Sequence, residues 1–176
     1  MSLPFGQMSF PEMYEKALVA SLFRPFAEEL VADTQVARGD RVLDIGTGSG
    51  YQAAVLAEMG CRVVSIERHA SLAETARERL AALGYGELVE VRVGDGSAGL
   101  PGESPWRGIV VAAAAPRIPD PLREQLDPLG GRLVIPVGDR DRQQLIVVTR
   151  TGDTWTETSD GHVVFVPLIG EEGFQS

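Results

Sequence analysis

Three glycines at alternate positions follow a short apolar segment that contains one acid, in the sequence RVLDIGTGSGY at residues 41–51. The apolar residues predict a buried parallel strand, and the glycines predict a tight turn into a helix that begins near Tyr51. Such a turn brings bare backbone close to a ligand, with the first amides of the helix pointing towards it. The segment therefore predicts a cofactor site, although close packing of a strand on a helix could by itself require such glycines.

The spacing of the glycines and the position of the acid separate two classes of cofactor. Dinucleotides place a pyrophosphate on a GxGxxG turn, whereas here Tyr51 occupies the place of the third dinucleotide glycine. Asp44 stands two residues before Gly46, and a carboxylate there is unfavourable beside a pyrophosphate but suits an ammonium group. We therefore expect S-adenosylmethionine as the cofactor, with S-adenosylhomocysteine as its product, rather than a nicotinamide dinucleotide.

Two further acids follow the next two predicted strands. Glu67 ends the segment RVVSIE, 21 residues after Gly46, at a distance from which an acid accepts hydrogen bonds from ribose hydroxyls. Asp95 lies between Gly94 and Gly96, where a short acid can accept from the exocyclic amine of adenine. Without the glycine turn, Glu67 would be interpreted as a solvated carboxylate at a strand end, and Asp95 as part of an ordinary Asp-Gly turn. In register with the glycine turn, both are assigned to the cofactor.

Length and charge restrict the class of protein. The chain has 176 residues with a formal net charge of −9, and this length suits one well-buried domain. An acidic surface repels phosphate backbones, so we expect no nucleic-acid partner. The sequence has no apolar run of about 18 residues and no signal-peptide pattern at its N-terminus. We therefore expect no membrane association and a cytoplasmic location.

The few residues that commonly bind metals do not form a pattern. Cys61 is the single cysteine, which fits a reducing compartment, and its place at a strand start predicts a packed apolar residue rather than a nucleophile. His69 and His162 are far apart in the sequence. We therefore expect no metal site.

Predicted strands and helices alternate along the chain. The helices are predicted at residues 14–32 (with a kink at Pro25), 51–59, 71–83 and 118–126. The strands are predicted at residues 41–45, 62–66, 88–93, 108–113, 132–137, 143–149 and 162–166. This pattern predicts an α/β fold with a doubly wound, mostly parallel seven-stranded Rossmann-like sheet and an antiparallel C-terminal edge. We expect one compact domain, in which residues 1–36 form a helical lid or substrate segment and residues 37–176 bind the cofactor.

Six segments together resemble the protein-L-isoaspartate O-methyltransferase family, from about Gly39 to Phe174. They are VLDIGTGSGYQAAVLAE, VVSIER, VRVGDGSAGLP, VVAAAAPRIPDPLREQLDPLGGRLVIPVG, RQQLIVV and VVFVPLIGEEGF. The first three are shared by many class I methyltransferases. The alanine-rich run at residues 112–119 and the FVPL motif at residues 165–168 are more distinctive. The resemblance implies a Rossmann-like methyltransferase that methylates the free carboxylate of L-isoaspartyl residues in damaged proteins or peptides, a protein-repair reaction.

The motifs and the resemblance together give a set of candidate cofactor-binding residues in the strand-end loops. They are Asp44, Gly46, Thr47, Gly48, Ser49, Gly50, Glu67, Arg68, Gly94, Asp95, Gly96 and Ala112. A carboxylate acceptor is already ionised at neutral pH, so the reaction requires no general base. Holding the oxygen in line with the methyl group would then supply the catalysis.

Ser9 is the candidate catalytic residue. The family carries a GQTISQP-like stretch whose serine lies at the methyl-transfer site, and GQMSFP at residues 6–11 is one residue shorter. The resemblance implies that Ser9 takes this place, while the sequence equally permits it to cap a helix that begins near Glu12.

Two other functions remain open. The segment PEMYEKALVASLFRPFAEEL resembles the leading helix of small-molecule methyltransferases, and a small substrate would be enclosed by Phe5, Phe10, Tyr14 and Phe23. A cofactor-binding domain without catalysis is the third possibility. Arg117 either pairs with an acceptor carboxylate or is a solvated loop charge.

Overall fold

The computed structural model describes residues 30–175. Ser9, the four aromatic residues of the proposed lid and most of the predicted first helix lie outside these residues; residues 30–34 are helical. The strands are β1 (Arg41–Ile45), β2 (Arg62–Glu67), β3 (Val89–Val93), β4 (Gly108–Val111), β5 (Leu129–Gly138), β6 (Gln143–Thr151) and β7 (Thr154–Val163). The helices that follow β1 are α1 (Tyr51–Glu58), α2 (Ala70–Ala82), a 3₁₀ turn (Pro101–Glu103) and α3 (Asp120–Glu124).

The seven strands form one sheet in the order β3-β2-β1-β4-β5-β6-β7. Strands β1 to β5 pair in parallel, and β6 and β7 are antiparallel to their neighbours. The strand order reverses between β1 and β4, and in open α/β sheets ligands bind outside the carboxyl ends of the strands at such a point. The predicted fold class is confirmed.

Successive residues of the central strands point into two separate cores. One cluster packs α1 and α2 on the sheet and includes Val42, Leu56, Val63, Leu80 and Val110. The other includes Leu43, Ile45, Trp106, Ile109 and Leu122. Because neighbouring strand residues face opposite sides, β1 is covered on both faces, and its residues from Val42 to Ile45 are at most 1% exposed. The start of the glycine turn is thereby held rigidly.

The predicted position of the last strand was wrong. It was expected at residues 162–166, but β7 runs from Thr154 to Val163 and pairs with β6 through a tight turn that contains Gly152. All but the last residue of β7 are exposed, so the strand carries none of the apolar alternation that a half-buried strand shows. The segment after it belongs to no strand of the sheet and forms isolated bridges, between Pro167 and Ala114 and between Ile169 and Phe174.

Among the other elements, strand β5 and helix α3 differ most in length from the prediction. Strand β5 begins at Leu129 rather than at residue 132, because Gly130 and Gly131 lie in a bulge within the strand rather than in a turn before it. Helix α3 is limited to Asp120–Glu124. Among the described residues, no helix has the length and hydropathy needed to cross a membrane.

Candidate functional site

The loops after β1, β2, β3 and β4 meet at the carboxyl edge of the sheet. The backbone N–H of Gly46 donates to Ile66 O at 2.9 Å, and the N–H of Gly94 donates to Glu67 O at 3.0 Å. A Cβ on Gly46 would lie 3.6 Å from the Cβ of Ala112. Among the other predicted residues of the described chain, Asp44 lies in β1 just before the first loop. The rest lie in the same loops: Thr47, Gly48, Ser49, Gly50, Arg68, Asp95 and Gly96.

The glycine turn has a backbone that L side chains rarely adopt. Gly46 has φ 91° and Gly50 has φ 86°, and only glycine occupies this region without steric cost. Gly50 also lies against α2, where a Cβ would be 3.3 Å from Leu80 Cδ1. It caps α1 without a side-chain hydrogen bond, so no side chain competes with a ligand for the first amides of this helix.

Asp44 lies fully buried beneath this turn. Its Oδ1 accepts a hydrogen bond from Gln52 Nε2 at 2.6 Å, and its Oδ2 accepts one from Ser65 Oγ at 2.5 Å. Burial raises the pKa of Asp44 to about 6, the hydrogen bonds from Ser65 and Gln52 lower it in part, and the charge of Glu67 raises it further. No cation in the described part of the chain contributes to this pKa. Above pH 6 the site therefore holds a buried negative charge without a positive partner.

Glu67 joins the first two loops. It is 5% exposed, its Oε2 accepts the N–H of Gly48 at 3.0 Å, and its Oε1 accepts the N–H of His69 at 3.0 Å. A carboxylate has about four acceptor positions. The two amides therefore orient Glu67 and leave acceptor positions for a pair of hydroxyl groups.

Asp95 has two backbone donors. Its Oδ1 accepts the N–H of Ser97 at 2.8 Å, and its Oδ2 accepts the N–H of Glu171 at 2.8 Å. Burial acts to raise the pKa of Asp95, but the hydrogen bonds from Glu171 and Ser97 and the charge of Arg68 outweigh it, so the pKa lies below its ordinary value. The sequence prediction included neither bond, and the bond from Glu171 connects Asp95 to the C-terminal end of the described chain.

Ser65 and Gln52 were also absent from the sequence prediction. Ser65 is the single polar residue between Arg62 and Glu67 in the segment RVVSIE, and a polar residue in a buried strand signals a hydrogen-bonded partner. Its Oγ lies 2.5 Å from Thr47 Oγ1 as well as bonding Asp44. The acid, the serine and the threonine therefore form a polar network under the turn.

The remaining candidates have ordinary surroundings. Cys61 is buried, its Sγ donates to Ala37 O at 3.5 Å, and burial together with the charge of Asp40 raises the pKa of its thiol. Arg117 has a side chain that is 76% exposed and forms an ion pair with Glu172 at 3.4 Å. No group of three or more His, Cys, Asp or Glu side chains that could hold a metal ion occurs among residues 30–175.

Replacing Gly46 by alanine should separate the structural and the ligand-binding roles of the turn. We expect Gly46→Ala to lose about 1–2 kcal/mol of stability because of its left-handed backbone, and to bind S-adenosylhomocysteine at least about tenfold more weakly because the new methyl group narrows the turn beside Ala112. Gly39→Ala is the matched control, since Gly39 has φ 90° with nothing within 4 Å of its Cβ position. Thermal melts and titration calorimetry measure the two effects, and equal binding by both variants would contradict the prediction.

Comparisons with known proteins agree with this geometry. Residues 4–173 match the family model described as protein-L-isoaspartate(D-aspartate) O-methyltransferase. The protein-L-isoaspartate O-methyltransferase of Aeropyrum pernix is 55% identical over 141 residues, which are 78% of this chain and 54% of that protein. A solved protein-L-isoaspartate O-methyltransferase structure matches with 28% identity and a TM-score of 0.77, over 85% of this chain and 48% of that chain.

A solved O-methyltransferase of tomaymycin synthesis from Streptomyces achromogenes, in complex with S-adenosylmethionine, is also similar. It matches with 34% identity and a TM-score of 0.51, over 64% of this chain and 55% of that chain. The matched residues thus span about half the length of these relatives, 54% of the Aeropyrum protein and 48% of the first solved structure.

Proposed function

Since the chain belongs to the protein-L-isoaspartate(D-aspartate) O-methyltransferase family, we propose that it transfers the methyl group of S-adenosylmethionine to the free carboxylate of L-isoaspartyl residues in proteins or peptides. The family match over residues 4–173 carries this proposal, because it includes both the glycine turn and the alanine-rich run after β4. The geometry of the strand-end loops supports the cofactor half of the reaction.

The residues present fit S-adenosylmethionine in charge and in hydrogen-bonding character. The buried charge of Asp44 acts from beneath the turn and favours a cationic ligand, since a buried carboxylate without a positive partner is costly. Glu67 keeps acceptor positions for the ribose hydroxyls. We assign the loop with Asp95 to the adenine and the first amides of α1 to the amino acid end of the cofactor. The S-adenosylmethionine complex of the Streptomyces relative supports the same assignment.

The reaction needs little chemistry from the protein. A carboxylate oxygen forms a bond to the methyl carbon as the bond from that carbon to sulfur breaks, and the electron pair remains on sulfur. The products are a methyl ester and neutral S-adenosylhomocysteine, and no proton is transferred. The protein contributes by aligning the two reactants, and an effect of this kind supplies on the order of 7–11 kcal/mol.

The segment after β4 suits an anionic acceptor. Ala113, Ala114 and Ala115 are buried and offer no side-chain hydrogen-bond acceptor, which disfavours a neutral amine that must be held by its N–H groups. The exposed side chain of Arg117 lies just after these alanines. Its positive charge would attract the carboxylate of an acceptor. We propose that residues 1–36 form the lid over the acceptor and that Ser9 lies at the methyl-transfer site.

The proposal is tested by methyl transfer from labelled S-adenosylmethionine to an isoaspartyl peptide, beside the same peptide with normal aspartate. We expect base-labile label on the isoaspartyl peptide alone. Binding of the cofactor without transfer to either peptide would contradict the acceptor assignment. A metabolite screen would then separate a small-molecule methyltransferase from a cofactor-binding domain without catalysis.

Ser9→Ala tests the catalytic assignment. If Ser9 contacts the reacting groups, we expect kcat to fall by about tenfold or more, because one hydrogen bond made in the transition state is lost. The affinity for S-adenosylhomocysteine should stay unchanged. Ser2→Ala is the matched control in the same segment. Wild-type kcat in Ser9→Ala would instead favour a helix-capping role.

A further inference from the structure

The chain contains two backbone steps at which isoaspartate can form. Its sequence has no asparagine and two Asp-Gly steps, Asp95-Gly96 and Asp160-Gly161. At such a step the backbone nitrogen of the glycine attacks the side-chain carboxyl carbon of the aspartate, and glycine has no side chain to obstruct this approach. One water leaves as a succinimide forms, and one water then opens the ring, so the step needs no co-reactant. Opening at the carbonyl of the former main chain yields isoaspartate.

The first of these steps is protected by its surroundings. Asp95 Oδ1 accepts the N–H of Ser97 and Asp95 Oδ2 accepts the N–H of Glu171, both at 2.8 Å. A Cβ on Gly96 would lie 2.6 Å from Ile45 Cγ2, so the backbone of this glycine is closely packed. The carboxyl group of Asp95 must therefore break two hydrogen bonds before it can turn towards the glycine nitrogen.

The second step lies in a bulge of β7. Asp160 and Gly161 both lie opposite Leu145 of β6, because the register between the two strands shifts at this point. A bulge leaves its extra residue unpaired and disrupts the ladder of hydrogen bonds. Gly161 has φ 101°, a conformation that glycine adopts without steric cost. The backbone at this step is therefore held less firmly than in a regular pair of strands.

Asp160 and Gly161 are also exposed. No described residue lies within 4 Å of the Cβ position of Gly161, and the side chain of Asp160 forms no hydrogen bond or ion pair with residues 30–175. β7 is the last strand in the order of the sheet, so its outer edge pairs with no described strand. Exposed edges of this kind open locally at a low cost in free energy. The carboxyl group of Asp160 is thus free to rotate towards the glycine nitrogen.

We propose that Asp160-Gly161 is a site of spontaneous isomerisation, and that the isoaspartyl form of this chain is a methyl acceptor for a second molecule of the same protein. The second half of this inference rests on the proposed function. β7 lies three strands from β4, which corresponds to about 14 Å. The carboxylate at residue 160 is therefore too far from the acceptor side of its own molecule, while its exposure makes it accessible to another.

The isomerisation is tested by ageing the full chain at neutral pH without cofactor. Peptide mass spectrometry with electron-transfer fragmentation distinguishes isoaspartate from aspartate at each step. We expect isoaspartate to accumulate at least about tenfold faster at residue 160 than at residue 95, because two hydrogen bonds must open at Asp95. Equal accumulation at both residues, or none at residue 160, would overturn the inference.

Asp160→Glu is the variant that removes the site and keeps its charge. The longer side chain would have to close a six-membered ring, so we expect no isomerisation at residue 160 and unchanged accumulation at Asp95. Asp153→Glu in the same hairpin is the matched control, because Asp153 is followed by Thr154, whose branched side chain obstructs the attack. This control should age as the wild type does. Loss of isomerisation at residue 160 in Asp153→Glu would contradict the assignment to a single step.

Methyl transfer is tested with aged wild type as the acceptor and fresh Asp160→Glu as the enzyme, in the presence of labelled S-adenosylmethionine. We expect base-labile label on aged wild type and little on aged Asp160→Glu. Label on a free isoaspartyl peptide but none on the aged wild type would overturn the second half of the inference. Absence of transfer even to the free peptide would overturn the proposed function, while the mass spectra still decide whether Asp160 isomerises.

Discussion

The Asp44→Asn variant is expected to be about 3 kcal/mol more stable than the wild type at pH 8, and to lose most of its affinity for S-adenosylhomocysteine. The reason is the burial of Asp44, which raises its pKa from 3.8 to about 6. An acid whose pKa is higher in the folded than in the unfolded state destabilises the fold as it ionises. Each pKa unit corresponds to about 1.4 kcal/mol.

This destabilisation has a defined pH range. It is absent below about pH 4, grows as the pH rises from about 4 to about 6, and is complete above pH 6. Asparagine removes the charge and keeps the network, since its Oδ1 accepts from Gln52 and its Nδ2 donates to Ser65. The Ser65 hydroxyl can then donate to Thr47 Oγ1, 2.5 Å away.

Denaturant unfolding at pH 4, 6 and 8 measures this effect, with Asp153→Asn in the exposed β6–β7 turn as the control. The stability difference between Asp44→Asn and the wild type should increase from pH 4 to pH 6, and the control should show no such increase. Lower stability of Asp44→Asn at pH 8 would contradict the burial argument. Unchanged affinity for S-adenosylhomocysteine would show that the charge does not act on the ligand.

Glu67→Ala is expected to bind S-adenosylhomocysteine at least about 100-fold more weakly than the wild type. The change removes the acceptor of two backbone amides, those of Gly48 and His69, at 3.0 Å each. Hydrogen bonds to a charged group contribute about 1.5–3 kcal/mol each. The proposed bonds to the ribose hydroxyls are lost in addition, and the glycine turn loses its connection to the loop after β2.

Titration calorimetry measures this loss, and thermal melts report the part that comes from reduced stability. Glu78→Ala, on the exposed face of α2, is the control for removing one acid from this charged surface. An affinity within about threefold of that of the wild type would show that Glu67 orients no part of the ligand. Such a change is smaller than the loss of a single ordinary hydrogen bond would cause.

The strands, the glycine turn and the loops of the proposed cofactor site were largely predictable, because they depend on local sequence patterns. The run from Val42 to Ile45 is apolar except for one acid, and the glycines after it require a turn, so β1, the turn and α1 follow from neighbouring residues. The loops at Gly46, Glu67 and Gly94 then meet because parallel strands place their carboxyl ends at one edge of a sheet. The fold class rests on the same alternation of strands and helices.

Other features depend on contacts between distant residues or on the absence of burial. All but the last residue of strand β7 are exposed, so its polar residues carry no period from which a strand is predicted. The pKa of Asp44 depends on Ser65, 21 residues away, and on complete burial. The bond between Asp95 and Glu171 joins residues that are 76 positions apart.

The sequence by itself therefore determined the fold class, the family and the position of the loops that we propose to hold the cofactor, because hydrophobic period and glycine spacing act over a few residues. The tertiary structure alone decided which acid is buried without a positive partner and which remote backbone amide donates to Asp95. Both depend on desolvation and on hydrogen bonds that form only when remote segments have packed together.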